Sequence, residues 1–365
     1  MHALRPVALL LVYTLASGAH GAEWDSIRGL ESMLGEPDDH WVTVRSEHKA
    51  YVIDGDEGTV MGSMTLSMFS PAVRSHLDAG LVYSYGSFYT RLYYGERTDV
   101  VLFYDATTLK PVDEVVIPPK SAGIGHSGMI GLINDRFVGV WNITPAMSVS
   151  IVDTEERTFV DEISTPGCAA VYPVARGFIM PCGDGALQYI ELGADGNEVA
   201  RTRSDVFFSV EDDPVFDYAQ PSADGWVFVS LEGRVFHATV AGGAIVVEEL
   251  FSIFSDDDEG WRIGGGQPFA INAETGLLLT LMHEGGGQET FEDAGTEVWA
   301  FSMATGLRGY RTPLDGESYR VQVTPDNAPI MFVDADDGLA IHDARTGAHL
   351  RTIEEMGGGL VQPLR

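Results

Sequence analysis

The sequence predicts an all-β chain folded as a seven-bladed β-propeller. A phrase of alternating apolar residues closed by an acid or small polar residue, followed by a turn, recurs seven times. It runs from Tyr51-Val-Ile-Asp54 to Leu339-Ala-Ile-His-Asp343, with copies ending at Asp105, Asp153, Glu191, Thr239 and Ser302 between them. The closing residues lie 51, 48, 38, 48, 63 and 41 residues apart. Units of about 40–50 residues, each holding several short strands, have the period of propeller blades. The 42 glycines and 17 prolines among 365 residues suit a turn-rich chain, and helical periodicity is confined to a short polar stretch at residues 25–33.

Taken from the N-terminus, residues 1–21 read as a signal peptide. Arg5 precedes an apolar run at residues 7–15, and Ala19-His-Gly21 suits cleavage before Ala22. That run is far short of the roughly 20 residues that cross a bilayer, so the sequence predicts a secreted, periplasmic protein with no membrane anchor. Residues 22–48 form an N-terminal segment, and residues 49–365 the propeller. Residues 40–45 (His-Trp-Val-Thr-Val-Arg) alternate as a strand should. They are expected to close the ring by pairing with the blade that contains residues 341–350, because a ring must hide its two terminal sheet edges. The formal net charge of −32 repels nucleic acid and anionic membranes, and is read as adaptation to salty surroundings ahead of a partner site. Cys168 and Cys182 lie symmetrically about Ala175, in a stretch that reads as two strand ends around a tight turn. In an oxidising compartment they form a structural disulfide.

Several motifs fail on context. Gly123-Ile-Gly125-His-Ser-Gly128 spells a dinucleotide fingerprint, yet Pro118-Pro119 precedes it and a strand-like run follows, where a strand and a helix are required. Asp334-Ala-Asp336-Asp337-Gly338 resembles half a calcium loop whose twelfth position is Arg345, a cation. That segment and Asp256-Asp-Asp-Glu259 are expected as solvated turns. The ten histidines show no paired ligand spacing, so no metal site is expected. No catalytic residue is assigned.

Four phrases resemble the heavy subunit of the quinoprotein amine dehydrogenases, the methylamine and aromatic amine dehydrogenases. They are Gly95-Glu-Arg-Thr-Asp99 leading into Tyr104-Asp-Ala-Thr-Thr-Leu-Lys-Pro111, and Pro166-Gly-Cys168 through Phe178-Ile-Met-Pro-Cys182-Gly-Asp-Gly185. The others are Gly260-Trp-Arg-Ile-Gly-Gly265 with Gln267, and Ile341-His-Asp-Ala-Arg-Thr-Gly347. The resemblance implies a seven-bladed heavy chain that binds a cysteine-rich small subunit carrying tryptophan tryptophylquinone, usually as two heavy and two small chains. It implies oxidation of a primary amine to an aldehyde and ammonia, with electrons passed to a blue copper protein or a cytochrome. With two cysteines this chain is not the small subunit, and its six tryptophans are read as core or interface aromatics. The family places an aromatic at the substrate entrance, and Leu66-Ser-Met68-Phe69-Ser-Pro71 stands at the same place here. The resemblance thus implies Met68, which aligns without a gap, or Phe69, which keeps the aromatic, as the entrance residue, with packing of a strand as the competing reading. Two positions depart from the family: Gly266 replaces a tryptophan, and acidic residues 284–293 replace a His-Lys-rich stretch.

Two other functions compete with this one. One is a free-standing periplasmic propeller that binds a protein or small ligand. The other, the weakest, is a propeller enzyme in its own right, of the pyrroloquinoline quinone or lactonase type, for which this sequence shows no adjacent Cys pair, convergent acid cluster or metal spacing. A neighbouring gene for a short, cysteine-rich chain would favour the heavy subunit.

Overall fold

The computed structural model describes residues 33–67, 72–119, 126–335 and 338–365. The expected leader and the stretch at 25–32 lie outside these residues. Seven antiparallel sheets follow one another along the chain as the blades of a propeller. Blade I holds Trp41–Ser46, Lys49–Asp54 and Thr59–Thr65, and blades II to VII span 73–117, 130–164, 172–203, 215–252, 261–318 and 321–354. First strands of neighbouring blades meet around the axis, and fourth strands lie outermost.

Burial follows this layering. A middle strand has a neighbouring blade on each side, so Phe137–Asn142 and Ser148–Asp153 of blade III are buried at every position. The outer strand Ala244–Ser252 of blade V carries no buried residue, because little lies beyond it.

Every closing residue of the repeated phrase sits on the third strand of its blade. In four blades the aspartate is turn chemistry. The carboxylate accepts from the backbone N–H groups two and three residues on: Asp54 from Asp56 and Glu57 (2.9 and 3.0 Å), Asp105 from Thr107 and Thr108 (3.1 and 2.7 Å), Asp153 from Glu155 and Glu156 (3.0 and 3.1 Å), and Asp343 from Arg345 and Thr346 (2.9 and 3.0 Å). One residue further along, the chain passes through the left-handed region. Gly58 (φ 67°) and Gly347 (φ 75°) do so freely, whereas Leu109 (φ 57°) and Arg157 (φ 53°) bear a cost of roughly 1–2 kcal/mol.

Ring closure differs from the expectation. Trp41–Ser46 does not join the blade of residues 341–350. It is an internal strand of blade I, paired with Lys49–Asp54 on one side and with the C-terminal strand Val361–Pro363 on the other. Val361–Pro363 thus supplies the innermost strand of blade I, and blade VII is complete without help. Both arrangements hide the terminal edges. The choice rests on chain length after blade VII, since residues 355–360 let the C-terminus step across to Val44, which pairs Val361.

Blade VI has a fifth strand because its innermost one is broken into Trp261–Ile263 and Phe269–Asn272, both paired with Leu277–Glu284. The break falls at Gly264-Gly-Gly266, where Gly265 has φ 99°. It frees Gln267 from sheet pairing within its own blade.

Two motif readings also change. Asp258 is buried, caps a short 3-10 turn through Ser255, and binds Arg308 at 2.7 Å, so residues 256–259 are not simply a solvated turn. Asp334 is buried too. It accepts from the N–H groups of Tyr319 and Arg320 and from the Arg320 guanidinium (2.8, 2.7 and 2.8 Å). An interior carboxylate needs such partners, and sequence-local reasoning could not supply them.

Candidate functional site

The blade-to-blade connections and the hairpins between second and third strands emerge on one face of the ring, and the aspartate turns emerge on the other. The connection face is the candidate interaction site. Met68 and Phe69, the expected entrance residues, lie outside the described residues, but their immediate neighbours are placed. Ser67 and Ala72 are buried. The Ser67 hydroxyl accepts from the Ser87 N–H at 3.3 Å, and Ser84 Oγ donates to the Ala72 carbonyl at 2.9 Å. Both ends of the 68–71 segment are therefore tied to the second strand of blade II. Gly86 makes this approach feasible, since a Cβ there would stand 2.4 Å from that of Ser67.

That strand, Leu81–Arg91, runs with Tyr94–Asp105 as a hairpin projecting from the same face. Leu92, Tyr93 and Tyr94 at its tip are exposed. Its base is fixed by Arg97 and Asp99 of the Gly95-Glu-Arg-Thr-Asp99 phrase. The guanidinium donates to both carboxylate oxygens (2.7 and 2.8 Å), and Asp99, 2 % exposed, also accepts from Ser87 Oγ. Burial works to lower the Arg97 pKa, and the bonds to Asp99 outweigh it and raise it. The sequence offered the phrase but no role for it, because the fork forms only when the hairpin pairs Asp99 opposite Ser87.

Cys168 and Cys182 lie on this face and are joined as a disulfide, with Pro173 opposite Phe178 and Val174 opposite Gly177 in the hairpin they close. The Trp141 indole N–H donates to the Cys168 carbonyl at 3.1 Å, and Arg203 lies against both sulfurs while gripping Asp184. Val206, Val210, Ile143, Phe291 and Tyr319 add exposed apolar surface on connection-face loops. Alongside them a cavity of about 480 Å³ is lined by His283, Glu284, Asp293 and Glu317. This is where residues 284–293 are acidic. A side chain at Gly266 would meet open space.

Among the described residues the tryptophans serve packing. Trp41, Trp141, Trp226 and Trp299 are buried, and Trp24 is outside the described residues. The Trp261 and Trp299 rings meet at 5.1 Å, tilted by 48°, with Arg311 4.5 Å from each ring and Arg308 4.4 Å from Trp299. Glu297 binds both the Trp299 indole (2.7 Å) and Arg311 (2.8 Å), so the pair is enclosed by a cation–π stack. Among the described residues no group of three His, Cys, Asp or Glu could hold a metal ion, and no helix is long and apolar enough to cross a membrane. The connection face thus presents an apolar rim beside an acidic cavity.

Comparison with known proteins agrees with this architecture. A family model described as methylamine dehydrogenase heavy chain (MADH) matches residues 36–362. The methylamine dehydrogenase heavy chain of Paracoccus versutus is 28% identical over 321 residues, covering 85% of this chain and 74% of the relative. That of Methylorubrum extorquens is 25% identical over 320 residues, covering 85% and 77%. Among solved structures, a dihydro-heme d1 dehydrogenase, NirN in complex with DHE, matches with a TM-score of 0.56 at 18% identity over 90% of this chain and 76% of that one. At that identity the likeness is one of fold.

Proposed function

Since the chain belongs to the methylamine dehydrogenase heavy chain family, we propose that it is the non-catalytic heavy subunit of a periplasmic amine dehydrogenase. In this reading it scaffolds a cysteine-rich small subunit and lines the substrate entrance. The observation that carries the reading is the family match, continuous from the first blade to the closing strand. The apolar rim of the connection face, with the projecting hairpin tip at Leu92–Tyr94, supports a docked partner there. The leader at residues 1–21 supports export to the periplasm.

The oxidising group in this reading is tryptophan tryptophylquinone on the small subunit, which supplies conversion of a primary amine to an aldehyde and ammonia. This chain's residues bind and orient. The Arg97–Asp99 fork holds the hairpin, and the family resemblance assigns Met68 and Phe69 to the entrance. The assembly has two heavy and two small chains, and a blue copper protein or cytochrome receives the electrons.

The test is expression of the mature chain alone and together with its small subunit and that subunit's maturation factors. Alone it should be colourless and inactive toward primary amines. Together they should form a quinone-absorbing complex that reduces an artificial acceptor when an amine is added. Amine oxidation by the single chain would place catalysis here instead. Failure to bind any cysteine-rich subunit would favour a free-standing binding propeller.

A further inference from the structure

The chain carries 54 acidic and 22 basic residues, yet the described lining of one interior space has no Asp or Glu. It is a cavity of about 310 Å³ on the propeller axis, where the innermost strands converge, and its described lining includes Arg74, Arg365, Gln220, Gln322, Gln362 and Ser127. The residues that end these strands place its mouth on the aspartate-turn face.

Arg74 is the key group. Its Nε donates to the Ile130 carbonyl at 3.0 Å and its Nη2 to the Ser127 carbonyl at 2.6 Å. Carbonyls fix the guanidinium in place but leave its charge unbalanced, and no described carboxylate lies within ion-pair distance of it. Arg74 is half-buried, and a charge partly withdrawn from water without a counter-ion bears part of the desolvation cost. Burial accordingly draws the Arg74 pKa below that of a free guanidinium.

The neighbouring amides are also poised as donors. Gln362 Oε1 accepts from the Val73 N–H at 3.3 Å, and its Nε2 is buried with no partner. Gln322 Nε2 donates to the Val361 carbonyl at 3.4 Å and Gln220 Nε2 to the Tyr218 hydroxyl at 2.5 Å. Gln322 also bonds the Tyr218 hydroxyl, whereas the Gln220 amide nitrogen, with two N–H groups, retains a second donor. Arg365, at the rim, is held by Asp39 at 3.7 Å and reaches the Pro37 carbonyl.

We propose that this axial cavity is an anion-binding site that takes one small oxyanion, a carboxylate or a phosphate, with Arg74 as its counter-charge and the glutamine amides as additional donors. The cavity is at the small end of ligand pockets, which suits such an anion and excludes a nucleotide. The inference does not rest on the subunit role.

Isothermal titration calorimetry of the protein as isolated, with inorganic phosphate, sulfate and succinate at constant ionic strength in chloride, tests it. At least one oxyanion should bind saturably at one site per chain, and should raise Tm by about 2 °C at ten times its Kd. Binding by the tetrahedral anions or by succinate would each support the proposal and tell the two ligand types apart. Arg74→Gln should weaken binding at least about tenfold. Gln362→Glu keeps the acceptor for Val73 while supplying an internal carboxylate, and should abolish binding even if the Arg74 variant fails to fold. Arg176→Gln, which changes an exposed arginine paired with Glu191, should bind as the wild type does. No saturable heat with any of the anions, or binding that survives Gln362→Glu, would overturn the proposal.

Discussion

The innermost strand of a blade has an inner edge with no sheet partner, and the short closing strand Val361–Pro363 shares this problem. Gln267 resolves it. Released from its own blade by the glycine break, it reaches past blade VII and pairs with the Val361 backbone as another strand would. Its Oε1 accepts from the Val361 N–H at 2.7 Å, and its Nε2 donates to the Val361 carbonyl at 2.9 Å and to the Tyr218 hydroxyl at 3.1 Å. Gln267→Leu matches the side chain in size but removes all three bonds. Tyr218 keeps Gln220, and the Val361 carbonyl keeps the long bond from Gln322. The Val361 N–H is left buried and unpaired, which costs about 1–3 kcal/mol, and the weakened carbonyl adds about 1 kcal/mol. We expect a total of about 2–4 kcal/mol, or a Tm lower by about 3–6 °C in a domain of this size. Urea unfolding measures the total. Hydrogen exchange at Arg45 and Leu364, whose N–H groups bond across the closing pair at 2.9 Å, measures the local opening. A melt within about 0.5 kcal/mol of wild type, with both amides equally protected, would show that Gln267 does not hold the ring closed.

Three further outcomes are expected. The disulfide closes a short loop, so the double Cys168→Ala, Cys182→Ala change should cost about 2–5 kcal/mol while circular dichroism keeps its β signature. Intact mass after alkylation without reductant should show no labelled thiol in the wild type. Burial pushes the Asp153 carboxyl up, but Arg136 and the Glu155 and Glu156 amides hold it below the usual carboxylate range. Its contribution is complete above the unfolded pKa near 3.9 and is lost as pH falls through the folded value. Asp153→Asn should therefore be about 1–2 kcal/mol less stable at pH 7, and the gap should narrow below about pH 4 in urea melts. In the assembled dehydrogenase, enlarging or shrinking Met68 or Phe69 should change the preference among amines by about 1–3 kcal/mol in relative kcat/KM. Unchanged ratios across a series of amine chain lengths would remove both residues from the entrance.

The blades were legible in the sequence because their determinants are local. Strand alternation and the aspartate four residues before a left-handed turn repeat within each unit, and the Cys168–Cys182 hairpin needs only a short loop to close. The resemblance carried by Gly95–Asp99, Gly260–Gln267 and Ile341–Gly347 located the family for the same reason, since each phrase is one contiguous turn or strand. What joins the ends was not legible. The pairing of Val44 with Val361 links residues more than 300 positions apart, and alternation in residues 40–45 fits a strand equally well in blade I or blade VII. The buried acids Asp258 and Asp334 read as solvated because their partners, Arg308 and the Tyr319–Arg320 backbone, come from other strands. The axial ring of Arg74, Gln220, Gln267, Gln322 and Gln362 left only a faint trace, a glutamine at or near the innermost strand of several blades. Periodicity and turn chemistry act over a few residues and so fixed the blades; the closing strand, the interior charges and the axial cavity exist only once seven sheets converge on one axis.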